Sequence, residues 1–118
     1  MIELRKSPRV NVTWRAVIKL ANGQLMPAKI VNISTGGVLL QCPEKLEVNA
    51  EYQIMMEVPS IDFAKKEQFK VPCKAHIQHI ILTGDFYRVG VKFSELSDLH
   101  QRLLDAWISK STVSDQSN

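Results

Sequence analysis

Two short stretches of this sequence carry residue types suited to an anionic ligand with aromatic bases. The first is Arg5-Lys6-Ser7-Pro8-Arg9, with its two arginines four residues apart. Arginine presents a planar fork of donors that matches phosphate oxygens and the O6/N7 edge of guanine, and its guanidinium stacks on purine faces. Lysine cannot do both, so an Arg-to-Lys change at either position is not conservative. The second stretch is Asn32-Ile33-Ser34-Thr35-Gly36-Gly37. Asn32 and Ser34 are two apart, so on extended backbone they project the same way, each a short polar group fit for a base edge or a phosphate. Gly37 allows ligand and backbone to approach closely or supplies a positive φ, and Gly36 offers the same.

Each stretch alone is ordinary. R-x-x-x-R is common by chance, and asparagine, serine and glycine together usually make a turn. The two in this order, flanking a strand hairpin, arise by chance in well under about one chain in a hundred at average residue frequencies.

The elements that must position them are mostly strands. Val10, Val12, Trp14, Ala16, Ile18 and Leu20 alternate with polar residues, the period of a half-buried strand. Asn22-Gly23 signals a hairpin, and Leu25 to Ile33 is the return strand, with Pro27 at its irregular start or on an edge. Gly36-Gly37 interrupts the chain before a short buried strand at Val38-Leu39-Leu40. Tyr52 to Val58 is the next strand, and a polar loop runs from Pro59 to Gln68. Phe69 to Leu82 is the longest run, with Phe69, Val71, Cys73, Ala75 and Ile77 on one face and Pro72 marking an edge or bulge. Thr83-Gly84-Asp85 turns it back into Phe86–Phe93. The period then changes: Leu96, Leu99, Leu103, Leu104, Trp107 and Ile108 recur at three and four, which predicts one amphipathic helix with Ser97 as N-cap and Asp98 in its first turn. These signals predict a β-rich domain, a small antiparallel barrel or sandwich, with one C-terminal amphipathic helix packed on it. Residues 1–9 lack an apolar pattern and are expected to form a flexible arm. Residues 10–110 form the packed unit, and 111–118 are expected to be a disordered tail.

Composition narrows the function. The chain has 118 residues, 15 Lys and Arg against 12 Asp and Glu, and a net charge of +3, which by itself points to no nucleic acid. The charge is uneven, with Arg5, Lys6, Arg9 and Arg15 crowding the N-terminal end. No apolar run is long enough to span a bilayer, and Met1–Lys6 is not followed by the apolar core of a signal peptide, so the expected location is the cytoplasm. Cys42 and Cys73 have no metal or redox spacing and are expected to be buried free thiols. His76 and His79 lie three apart on a strand, hence on opposite faces, and His100 lies on the helix, so no metal, cofactor or catalytic group is expected. Trp14, Phe69, Tyr87 and Phe93 fall on apolar faces and read as core, not as the exposed platforms that single-stranded nucleic acid requires.

The pairing of R-x-x-x-R with N-x-S-x-x-G resembles the ligand signature of PilZ domains, bacterial receptors for cyclic di-GMP. Gly90-Val91-Lys92-Phe93 also matches the G-V-x-F of that family's late strand. The resemblance implies a six-stranded antiparallel β-barrel with a C-terminal helix, in a stand-alone domain with no attached catalytic or output domain. It implies a non-catalytic second-messenger receptor that binds cyclic di-GMP through Arg5, Arg9, Asn32, Ser34 and Gly37, assisted by Lys6 and Gly36. Asn32 replaces the aspartate that many members carry there, which makes guanine recognition rest on a neutral amide. Leu4 stands where an additional arginine would stack on a second ligand, so one cyclic di-GMP per domain is expected. Ligand bridging the arm and the 32–37 turn would order the arm and change the surface offered to a downstream protein, in a monomer or weak homodimer that binds neither DNA, RNA nor the membrane interior. The competing expectation keeps the fold and drops the nucleotide: an adaptor of pilus or flagellar machinery whose arginine patch contacts an acidic partner.

Overall fold

The computed structural model describes residues 9–62 and 66–116. Strand β1 (Val10–Lys19) preserves its sequence alternation as burial: Trp14, Ala16 and Ile18 face inward, Thr13, Arg15 and Lys19 face water. The Asn22–Gly23 turn follows. Gly23 takes a φ of 86°, the left-handed conformation glycine adopts without strain. The Gly23 N–H donates to the Leu20 carbonyl at 2.9 Å, and the Asn22 side-chain oxygen accepts from the Gln24 N–H at 2.9 Å. Strands β2 (Leu25–Ile33), β3 (Gly37–Cys42), β4 (Glu51–Pro59), β5 (Gln68–Thr83) and β6 (Phe86–Glu95) complete a closed antiparallel barrel in the order β1-β2-β3-β6-β5-β4. Pro27 precedes the start of β2–β3 pairing at Lys29, and Pro72 precedes the start of β5–β6 pairing at Lys74. Each proline therefore sits in a stretch paired on one side only, where a missing N–H is tolerated.

The interior is filled by apolar side chains such as Ile18, Ile30, Ile33, Leu40, Met56 and Val71, all fully enclosed, and no polar or charged side chain is buried among the described residues. Helix α1 (Asp98–Gln116) lies across the barrel end where β1 begins and β2 and β4 finish. Ser97 caps it: its Oγ accepts from the His100 N–H at 3.2 Å. Leu104, Trp107 and Ile108 are buried on the barrel. The Trp107 ring meets Trp14 edge-on at 5.5 Å, and its indole N–H donates to the Pro59 carbonyl at 2.9 Å. Lys110 Nζ donates to the Ile61 carbonyl at 2.6 Å.

The structure departs from the sequence reading in four places. Leu99, counted in the apolar stripe, is 72% exposed, because the packed face is set by Leu104, Trp107 and Ile108. Phe69 is 41% exposed, not core; it lies at the start of β5, paired with β4 alone at the barrel rim. The helical backbone continues to Gln116, into the stretch expected to be a disordered tail, since extending a nucleated helix needs only one more residue fixed per hydrogen bond. Finally, His76 and His79 share the outward face. A β-bulge between Ile77 and His79 inserts Gln78 as an unpaired residue, so His76 stands opposite Lys92 and His79 opposite Gly90, two positions of equal parity on β6.

Cys42 and Cys73 are free and buried. Burial pushes the Cys42 thiol up to about 11 and the Cys73 thiol up to about 12. Neither is a nucleophile near neutral pH.

Candidate functional site

The polar turn between β2 and β3 is tied down on three sides. The Ser34 N–H and Oγ both donate to the Gly37 carbonyl, at 2.9 and 3.2 Å. The Phe93 N–H of β6 donates to the Gly36 carbonyl at 2.9 Å, and Gln101 Nε2 of α1 donates to the Thr35 carbonyl at 3.2 Å. Gly37 is required here by space, not by φ. A Cβ at this position would collide with the Val91 carbonyl of the adjacent strand, while Gly36 faces open space. The group that approaches Gly37 closely is thus β6 backbone.

Arg9, Asn32, Ser34, Gly36 and Gly37 line one open cavity of about 300 Å³. Arg9 is exposed immediately before β1 and forms no ion pair among the described residues. Asn32 and Ser34 are both half-buried at the end of β2 and contribute to the same wall. The further lining comes from β3, β5 and β6 and includes Leu39, Gln78, His79, Gly90 and Lys92. Arg9 and Lys92 supply positive charge, and no carboxylate is among the described lining residues. The cavity therefore attracts anions and offers amide, hydroxyl and imidazole groups to a base edge. Arg5, Lys6 and Leu4 lie outside the described residues.

Register explains the assembly. Asn32 stands opposite Leu39, Leu39 opposite Gly90 and Gly90 opposite His79, one continuous outward row across β2, β3, β6 and β5. Sequence reasoning missed the far end of this row, since it placed His76 and His79 on opposite faces and assigned chemistry to neither. The available signal was the adjacent polar pair Gln78-His79, which breaks the period-two alternation of the longest strand and marks a bulge.

A larger groove of about 590 Å³ crosses the outer face of β1, β4 and β5, lined by Val17, Leu25, Met55 and Pro72 among others. It contains none of the motif residues. Among the described residues no cluster of three or more His, Cys, Asp or Glu is placed to hold a metal ion, and no helix is long and apolar enough to cross a membrane.

A family model described as the PilZ domain matches residues 3–110. No curated protein matches the sequence. Solved structures match in fold. The Bacillus subtilis inhibitor of motility (MotI/DgrA) superposes with a TM-score of 0.81 at 14% identity, covering 96% of this chain and 53% of that one. The PilZ domain with c-di-GMP of YcgR from Escherichia coli gives 0.68 at 17% identity, covering 98% and 96%. The K. pneumonia MrkH–c-di-GMP complex gives 0.74 at 14% identity, covering 98% and 54%. The chain thus spans about half the length of the first and third of these, and all of the second but its margins.

Proposed function

The chain belongs to the PilZ domain family, and from that premise we propose that it is a non-catalytic receptor for cyclic di-GMP. The observation that carries the reading is the convergence of Arg9, Asn32, Ser34, Gly36 and Gly37 on one open cavity without a carboxylate among its described lining residues. The ligand's two phosphodiesters need cations and its two guanines need short polar groups and a stacking cation, and these are the groups the cavity offers. Two of the solved structures similar in fold are described as holding c-di-GMP.

In this reading Arg9 and Arg5 clamp the ligand from the 1–9 arm, with Lys6 adding charge. Asn32 and Ser34 address the base edge and phosphate, Gly36 leaves the turn low enough to admit it, and Gly37 lets β6 close against the turn that carries them. Ser34 and Gly37 act partly through the turn itself, since the Ser34 hydroxyl is already bonded to the Gly37 carbonyl. The arm is drawn onto the barrel, changing the surface that a downstream protein meets in the cytoplasm. Leu4 limits the complex to one ligand per domain.

The test is calorimetric titration of the protein with cyclic di-GMP beside an Arg9→Ala control. Arg9 is exposed and carries no core packing, so the control folds. Saturable binding of one ligand per protomer, weakened at least about ten-fold in the control, is the expected result, since a hydrogen bond to a charged group is worth about 1.5–3 kcal/mol. Absence of heat at high ligand concentration would remove the nucleotide and leave a protein adaptor whose basic arm meets an acidic partner.

A further inference from the structure

The wall of the cavity opposite Asn32 is built around an imidazole. The His79 ring occupies the space that a side chain at position 90 would fill, so Gly90 is the seat on which it rests. The bulge at Gln78 turns His79 outward onto that seat, and both residues line the cavity. Asn32 and His79 are the two ends of one cross-strand row three strand spacings long, about 14 Å. A cyclic dinucleotide laid along this row meets Asn32 at one end and His79 at the other. We propose that His79 is a ligand-contacting residue of this site and that its contact makes nucleotide binding proton-linked. The proposal rests on the receptor reading above and adds to it a residue outside both motifs and a dependence on pH.

Imidazole is the side chain that gains charge between about pH 8 and pH 5. A neutral ring packs against a guanine face and donates from one nitrogen, and a protonated one donates from both and adds a positive charge that favours a phosphodiester or guanine O6/N7. The ligand's phosphodiesters and guanines keep their charge across this range, so the protein alone supplies the titration. The groups around His79 favour an anion. On β6, Arg88 and Lys92 flank Gly90 on the outward face, and the start of β1 contributes Arg9. On β5 the outward neighbour is His76, and on β3 the residues in register with Gly90 and Arg88 are the uncharged Leu39 and Gln41. On β4, Glu51 stands opposite His76, where β4–β5 pairing ends. No carboxylate competes for His79 within the cavity among the described residues. A bound phosphodiester stabilises the imidazolium, and by reciprocity protonation tightens binding.

The experiment is calorimetric titration with cyclic di-GMP from about pH 8 to about pH 5.5, on the unaltered chain, His79→Gln and His76→Gln. Circular dichroism at each pH confirms that all three remain folded. The expected result is affinity that rises about three- to ten-fold on acidification in the unaltered chain and in His76→Gln, and a flat profile in His79→Gln. A profile unchanged by His79→Gln, one abolished by His76→Gln instead, or a flat profile in the unaltered chain overturns the proposal while leaving the receptor reading intact. Absence of binding at every pH removes both.

Discussion

Among single residues, the two adjacent glycines of the turn separate packing from ligand access. Gly37→Ala forces a methyl group into the Val91 carbonyl of a paired strand, whereas Gly36→Ala meets nothing within 4 Å. In urea denaturation Gly37→Ala is expected to lose about 1–3 kcal/mol and Gly36→Ala no more than about 0.5 kcal/mol. Equal losses would contradict the close approach of β3 and β6 at this point. The sequence showed that two glycines were needed after Asn32 and Ser34, but not which served the barrel, because that depends on a neighbour more than fifty residues away. His79 was missed for a different reason. Its outward orientation depends on the bulge at Gln78, whose one trace in the sequence is the adjacent polar pair Gln78-His79.

At the level of elements, α1 is held by a cap and by one aromatic anchor. Ser97→Ala removes the side-chain acceptor of the first turn and is expected to cost about 1 kcal/mol. Trp107→Ala removes the ring that meets Trp14 and leaves the Pro59 carbonyl without its indole donor, with an expected cost of about 3–5 kcal/mol and a loss of near-ultraviolet circular dichroism. A smaller effect of Trp107→Ala than of Ser97→Ala would mean the helix is not anchored on the barrel as described. Strands bounded by clear turn signals were legible almost to the residue, as β1 and β2 on either side of Asn22-Gly23 show. Where alternation competed with pairing, the sequence misled: Phe69 follows the inward parity of β5 yet lies beyond the sealed interior, and Leu99 follows the helical stripe yet lies ahead of the packed turns.

For the molecule as a whole, the closed barrel shields both thiols. Thiol reagents at neutral pH are expected to label neither Cys42 nor Cys73 until denaturant opens the fold. A thiol held protonated in the folded state and released on unfolding makes stability fall as pH rises. The loss begins above the ordinary thiol value of 9.0 and continues towards about 11 for Cys42 and about 12 for Cys73. Urea midpoints that stay constant from about pH 8 to pH 10.5 would show that burial does not govern these groups. The helix that closes the barrel end has one more consequence. Gln101 grips the Thr35 carbonyl, while Trp107 and Lys110 grip the carbonyls of Pro59 and Ile61. A rigid rod fastened at both places acts as a strut between two loops that share no strand. Pulling on one must load the other. Amide exchange at residues 60–62 is therefore expected to slow when the cavity beside Ser34 is filled, although no atom of that segment lines the cavity.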